Sequence, residues 1–432
     1  MKRSLSRRDF LATTGAVALG SRLAAARQGQ QLRHAVIGCS GQGGADMGSI
    51  STHPAVQIVA LCDVDTNNLA GAAKRFPNAK QYRDYRVMFK EMGTGIDTVN
   101  IGIPDHAHAA AAMTAMNLGK HVYVQKPLTH DVWESRKLAE VARARNLQSQ
   151  MGIQVHSSRD YRLGVRLIQD GVIGRVKEVH SWSNKTWGFA GPRPAGADPV
   201  PANLDWDLWL ATAPERPYKA KLYHPGDWRR WVDFGCGTMG DMSIHILDPV
   251  AGALALTAPH TIVSESDPPP VESFSTRNKV RYAFPGTKFT VDPFSLTWYD
   301  GTAVPTMEGW PVDVLPAQGS MFVGEKGFMM LPHTAPPRLY PEETFKGFQM
   351  PAITAVSHWH TWLDACLGKG TPSANFSYSG PLTEFVLLGV IANRVPGKTL
   401  TWNAAQMKLD GSPEAAALLR RTYRKGWEVE GL

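Results

Sequence analysis

The sequence predicts two folded units, an α/β domain on a doubly wound parallel sheet and then an α+β domain with a large, mainly antiparallel sheet. Three observations predict it. Segments of β and α character alternate without a break over residues 33–145, a glycine-rich turn closes the first strand, and beyond residue 151 short strands dominate. At 432 residues, 43% of them hydrophobic, the chain is long enough for two full cores.

The first strand, 33–38, breaks into Cys39-Ser40-Gly41-Gln42-Gly43-Gly44 and a helix over 45–52, and a second strand, 56–62, ends at Asp63. Strand, glycine turn, helix, strand and acid is the order of a dinucleotide-binding Rossmann unit. Gly38, Ser40, Gly41, Gln42 and Gly43 would bring backbone N–H groups to a pyrophosphate at a helix N-terminus, and Asp63 would accept the adenosine ribose hydroxyls. An acid there repels a 2′-phosphate, so NAD is favoured over NADP. Ser40 stands where the fingerprint usually has glycine. Helices over 67–75 and up to Met92 follow, then strand 98–103, which ends at Pro104-Asp105-His106-Ala107-His108. A helix over 109–118, strand 121–125 and helix 131–145 complete the alternation. The last strand stops at Gln125-Lys126-Pro127, which puts Lys126 where open α/β sheets bind ligands, with His108 at a neighbouring strand end.

The second unit opens with a helix over 161–170 and a strand over 176–183. An irregular stretch rich in Trp, Pro and Gly covers 184–234, and strands are expected over 261–265, 278–284, 288–291, 295–299 and 319–323. A turn at Gly324-Glu325-Lys326-Gly327 and a helix from Ser357 follow.

The formal charge is +8, but Lys2, Arg3, Arg7, Arg8 and Arg22 against the single Asp9 place half of it in the first 26 residues. The rest is too near balance to favour a nucleic-acid partner. Ser6-Arg7-Arg8-Asp9-Phe10-Leu11, a modestly apolar run and Ala24-Ala25-Ala26 read as a twin-arginine signal over 1–26. That reading implies the twin-arginine export machinery as a partner, a periplasmic or other extracytoplasmic destination, and export in the folded state. No apolar run reaches membrane-spanning length, so no stable membrane insertion is expected after signal cleavage. Cys39, Cys62, Cys236 and Cys366 show no metal spacing, and folding before export in a reducing compartment predicts free thiols. His106-x-His108 and His358-x-His360 have no carboxylate or cysteine at a ligand spacing, so no metal is expected.

The glycine turn at 38–43, Asp63, the Pro104–His108 run, Gln125-Lys126-Pro127 and Gly240-Asp241-Met242-Ser243-Ile244-His245 together resemble the Gfo/Idh/MocA oxidoreductase family, over nearly the whole mature chain. After the signal read over 1–26, the resemblance implies an NAD-binding Rossmann domain at 32–153 and a substrate and oligomerisation domain at 154–432. It implies cofactor contacts from Pro104, His108, Gln125 and Lys126 as well, and a homo-oligomer. Gln125 departs from the Glu-Lys-Pro pattern, which removes a negative charge beside Lys126.

Asp241 and His245 stand four apart in a helix-forming run, so their side chains share a face. An alcohol giving hydride to nicotinamide must lose its hydroxyl proton, and His245 is the candidate base. Lys126 would stabilise the developing alkoxide, with Asp241 orienting substrate or His245. Six tryptophans fall between Trp182 and Trp231. Of that stretch Trp187, Arg229 and Trp231 are candidate substrate residues with His108, against the alternative that the rings pack loops onto the sheet.

The function implied is NAD(P)-dependent hydride transfer at a hydroxyl carbon of a sugar, polyol or glycoside, with NAD held tightly. One alternative resembles NAD-dependent α-N-acetylgalactosaminidases, in which transient oxidation permits elimination of the glycosidic bond. Another, of a different class, is a non-catalytic protein that senses sugar or nucleotide.

Overall fold

A computed structural model describes residues 31–432, so the signal expected over 1–26 lies outside the described residues. Six strands form one wholly parallel sheet: β1 (Leu32–Ile37), β2 (Val56–Cys62), β3 (Lys80–Tyr82), β4 (Thr98–Ile101), β5 (His121–Gln125) and β6 (Ser149–Gly152), in the order β3-β2-β1-β4-β5-β6. Strands β4 and β6 are buried along their length, as strands covered on both faces must be. The connecting helices are α1 (Gly41–Ser51), α2 (Thr66–Arg75), α3 (Tyr85–Met92), α4 (Asp105–Asn117) and α5 (Val132–Ala144). Asp65 and Asp84 cap α2 and α3 by accepting from Asn67 N and Arg86 N, and Asp131 with Glu134 closes a capping box on α5. The order reverses between β1 and β4, which opens a crevice at their carboxyl ends.

The second sheet has nine strands. Its members are β7 (Val176–Ser183), β8 (Thr261–Ser264), β9 (Arg277–Phe284), β10 (Thr290–Gly301), β11 (Gln318–Gly324), β12 (Phe328–Pro332), β13 (Arg338–Tyr340), β14 (Thr399–Asn403) and β15 (Lys408–Asp410). All its pairs are antiparallel except β7 with β10. One strand, β10, replaces the two expected over 288–299. Helices α6 (Arg159–Gln169), α7 (Trp206–Leu210), α8 (Ile244–Leu254), α9 (His358–Cys366), α10 (Phe376–Ala392) and α11 (Pro413–Ala417) complete the chain. Helix α10 joins the two domains: a Cβ on Gly380 would lie 3.0 Å from Ala139 of α5, and one on Gly389 would strike the Tyr282 hydroxyl of β9. All four cysteines are free and buried.

Two expectations are corrected. The strand expected over 98–103 ends at Ile101, and α4 starts at Asp105 rather than 109, so His108 belongs to the first turns of a helix, not to a strand end. The tryptophan-rich stretch builds a small core of its own, in which Trp209, Tyr223, Trp228, Trp231 and Phe234 are buried together.

Candidate active site

A cavity of about 470 Å³ opens at the reversal point and runs from the glycine turn past Lys126 to Asp241, His245 and His333 of the second domain. Gly38 has φ +90° and Gly41 +51°, backbone that L side chains adopt only with strain. A Cβ on Gly38 would sit 2.3 Å from Gly102 O, and one on Gly43 2.4 Å from Gly38 O, so the turn closes against the end of β4 only as glycine. Gly41 has no neighbouring atom within 4 Å of such a Cβ, which leaves an open cradle. Ser40 occupies the N-cap of α1 without a side-chain cap bond, so its hydroxyl and the first-turn N–H groups remain for an anion.

Asp63 Oδ2 accepts from Cys39 N at 2.8 Å, and Oδ1 from Asp65 N at 2.9 Å. Burial raises its carboxyl, and these two bonds oppose the rise. Held this way on the cavity wall beside Asn68 and Arg83, it can receive a ribose diol. The uncapped helix start, the glycine cradle and the fixed acid fit NAD. Gly38, Ser40, Gly41, Gln42, Asp63, Pro104, Gln125 and Lys126 all line the cavity, whereas Gly43 serves the packing behind it.

At the other end, Lys126 Nζ donates to Asp241 Oδ1 at 2.6 Å and to Asp241 O at 3.0 Å. Asp241 lies in a π-helical turn, Met239–Ser243, that leads into α8. Gly240 lets that turn press on Cys236, where a Cβ would lie 2.1 Å from the cysteine Cβ. Trp187 Nε1 donates to Asp241 Oδ2 at 2.7 Å, and Arg229 Nε stands 3.4 Å from Oδ1. Burial works to raise the Asp241 carboxyl, but the charges of Lys126 and Arg229 and the hydrogen bonds of Lys126 and Trp187 outweigh it and hold it well below the usual range. His245 lines the same cavity; burial, then the charge of Lys126, keeps its imidazole neutral far below its ordinary range. Its Nδ1 is buried without a hydrogen-bond partner among the described residues, so Nε2 is the nitrogen open to proton exchange.

The geometry corrects three assignments. Asp241 orients Lys126 rather than His245, because both its oxygens are taken by Lys126, Arg229 and Trp187. His108 sets Nδ1 2.9 Å from Pro127 O and Nε2 2.7 Å from Ile103 O, bracing two strand ends instead of facing cofactor or substrate. Trp231 is 1% exposed and donates to Leu222 O, so it packs the loop. Trp187 acts through Asp241, and of the four substrate candidates only Arg229 lines the cavity. Sequence reasoning missed Asp105, Gln154, Lys185, His333 and Trp427 on the cavity wall; each is isolated from any motif except Asp105, whose helix start was misplaced.

Residues 32–153 match the family described as an oxidoreductase family with an NAD-binding Rossmann fold, and residues 165–292 match the same family's C-terminal alpha/beta domain. The chain is 25% identical over 188 residues to levoglucosan dehydrogenase of Pseudarthrobacter phenanthrenivorans, covering 44% of this chain and 40% of that one. It is 26% identical over 132 residues to inositol 2-dehydrogenase of Salmonella typhimurium, covering 30% and 39%. The matched stretches thus span less than half the length of these curated relatives. Among solved structures, the WlbA dehydrogenase from Bordetella pertussis in complex with NADH and UDP-GlcNAcA shares the fold with a TM-score of 0.60 at 13% identity, over 87% of this chain and 99% of that one. The chain belongs to the Gfo/Idh/MocA family of oxidoreductases, with an NAD-binding Rossmann domain followed by that family's α/β domain.

Proposed function

We propose that the protein is an NAD-dependent oxidoreductase that moves hydride between the nicotinamide and a hydroxyl-bearing carbon of a sugar or polyol. One observation carries the reading: Lys126, Asp241 and His245 share a single cavity with the Ser40–Gln42 turn and Asp63. Names among the relatives, levoglucosan dehydrogenase and inositol 2-dehydrogenase, support the substrate class.

NAD, when bound, supplies the hydride acceptor. His245 takes the hydroxyl proton of the substrate at Nε2, and its neutrality keeps that lone pair free. Lys126 donates to the same oxygen and stabilises the charge developing as the C–H bond breaks, while Asp241 fixes the ammonium through two contacts. The signal read over 1–26 supports export of the folded, cofactor-loaded protein.

The test is purification of the exported form without added nucleotide, followed by denaturation and assay of the supernatant for NAD. A protein that neither carries nor binds NAD would sink the cofactor assignment. Lys126→Ala should lower turnover of any oxidised sugar or polyol by about a hundredfold or more with NAD affinity retained. Unchanged turnover in that variant would reject the role given to Lys126.

A further inference from the structure

Below the cavity, Tyr161 of α6 and His333 at the end of β12 are joined by a hydrogen bond of 2.7 Å between the phenol oxygen and His333 Nδ1. Neither residue belongs to the motifs that mark the family. The backbone pins the histidine in place: His333 N donates to Gln318 O at 2.9 Å, and Thr334 after it adopts a left-handed φ of +62°. A β-branched residue is strained there, and such strain persists where the surroundings demand it. Gly164 lets α6 approach β12, since a Cβ on it would lie 2.9 Å from Leu331 Cδ2, and this contact sets Tyr161 under the imidazole.

The hydrogen bond has a direction. Tyr161 is 2% exposed and burial holds its phenol protonated; His333 Nδ1 is the one acceptor that hydroxyl meets among the described residues, so the hydroxyl donates and Nδ1 accepts. His333 is pushed down to about 4 by burial, then by the charges of Lys185 and Lys126, and is neutral at physiological pH. The one ring proton therefore resides on Nε2. That nitrogen has no partner among the described residues, and the ring lines the cavity 5.7 Å, centroid to centroid, from His245.

Resting on the reading of the cavity as a hydroxyl-oxidising site, we propose that the Tyr161–His333 pair recognises the oxygen adjacent to the one being oxidised, with His333 Nε2–H as its donor. The two imidazoles are then complementary. His245 offers an acceptor to the reacting hydroxyl, and His333 offers a donor to its neighbour. The substrate class is a vicinal diol or α-oxygenated alcohol in a ring; a methylene at the neighbouring carbon leaves Nε2–H unpaired, and an ammonium there cannot accept.

Matched pairs test this: D-glucose with 2-deoxy-D-glucose and with 3-deoxy-D-glucose, and D-galactose with 2-deoxy-D-galactose. With the NAD-loaded full chain, the hydroxylated member should be preferred by about tenfold or more in kcat/KM. His333→Ala and Tyr161→Phe should erase that preference, and His333→Gln, which keeps an N–H, should recover part of it. Equal losses on both members of each pair overturn the proposal. If wild-type protein oxidises none of these sugars, the hydroxyl-oxidation reading fails for them separately, and the same pairs are compared by calorimetric binding to the NAD-loaded protein, where absence of discrimination overturns the pair's role. Independently, ¹⁵N spectra of histidine-labelled protein should show His333 as the Nε2–H tautomer, shifting toward a mixture in Tyr161→Phe; an Nδ1–H tautomer contradicts the assignment.

Discussion

Gln125 donates its side-chain amide to Asp46 Oδ2 at 2.6 Å, behind the cavity wall. Asp46 is 0% exposed and receives further N–H bonds from Gln42, Gln154 and Trp359 and, among the described residues, none from a cation. Burial raises its carboxyl, and the four donors oppose that rise. The departure from the Glu-Lys-Pro pattern thus has a partner, since a glutamate at 125 would set a second carboxylate against a buried one. Gln125→Glu should cost about 2–3 kcal/mol near neutral pH in denaturant unfolding. The crowded pair must take up a proton on folding, so its folded pKa lies above the unfolded carboxylate value. The deficit should therefore shrink as pH falls toward that value and be largest at higher pH. A deficit that does not change with pH would refute the electrostatic explanation.

Trp187 positions Asp241, and through it Lys126. Trp187→Phe keeps the ring and removes one charge-assisted bond of 2.7 Å. The variant should lose about ten- to a hundredfold in kcat with NAD affinity unchanged. With one donor gone the Asp241 carboxyl rises, so the acid limb of the rate profile should move to higher pH. A loss confined to KM, with the acid limb fixed, would mean that Trp187 contacts substrate directly.

What could be read from the sequence follows from how local each signal is. Strand β7 and the boundaries of α5 were visible because alternation and a capping box are encoded within a few residues. Helix α10 was not, because its sequence FSYSGPLTEFVLLGVIA is apolar all round and lacks a stripe, as befits a helix packed against both α5 and the sheet. At the site, Lys126, Asp241 and His245 lie in recognisable runs, and the cavity gathers them. His333 and Trp427 approach it only by tertiary folding, with no neighbour in sequence to mark them. Trp231 and His108 misled for the opposite reason: ring chemistry suited to a ligand is satisfied here by backbone carbonyls.

His156, in the turn Gln154–Ser157 that joins the two domains, sets Nδ1 2.9 Å from Oδ1 and 3.0 Å from Oδ2 of Asp248. Tyr378 donates to the same carboxylate at 2.6 Å. Burial lowers the imidazole's proton affinity, but the charge and hydrogen bond of Asp248 outweigh it and raise the pKa above its ordinary 6.5. Stability from a raised histidine is fully present below the unfolded value and is lost as pH rises through the folded one. Wild type should thus exceed His156→Gln in unfolding free energy most at pH 5.5–6, with the gap narrowing by about 1 kcal/mol or more toward pH 9. A gap that is flat across this range would show that the pair is held as a neutral hydrogen bond.

The C-terminal segment closes the Asp63 side of the cavity. Trp427 lines it together with Arg83, Asp84 and Tyr85, and the Arg86 guanidinium lies 3.9 Å above the indole. The segment is tied down by Arg421, which meets Asp131 at 3.3 Å and Glu134 at 3.2 Å, and by Arg424, which donates to Ala211 O at 3.0 Å. A flat apolar ring on this wall would pack against a dinucleotide held beside Asp63 and slow its release. Trp427→Ala should therefore raise the NADH dissociation rate by about tenfold or more in stopped-flow fluorescence, and Trp427→Phe should raise it less. Unfolding midpoints of the nucleotide-free proteins should differ little between the Phe variant and wild type, which separates retention from stability. An off-rate unchanged in the Ala variant would remove the C-terminal segment from the account of nucleotide retention.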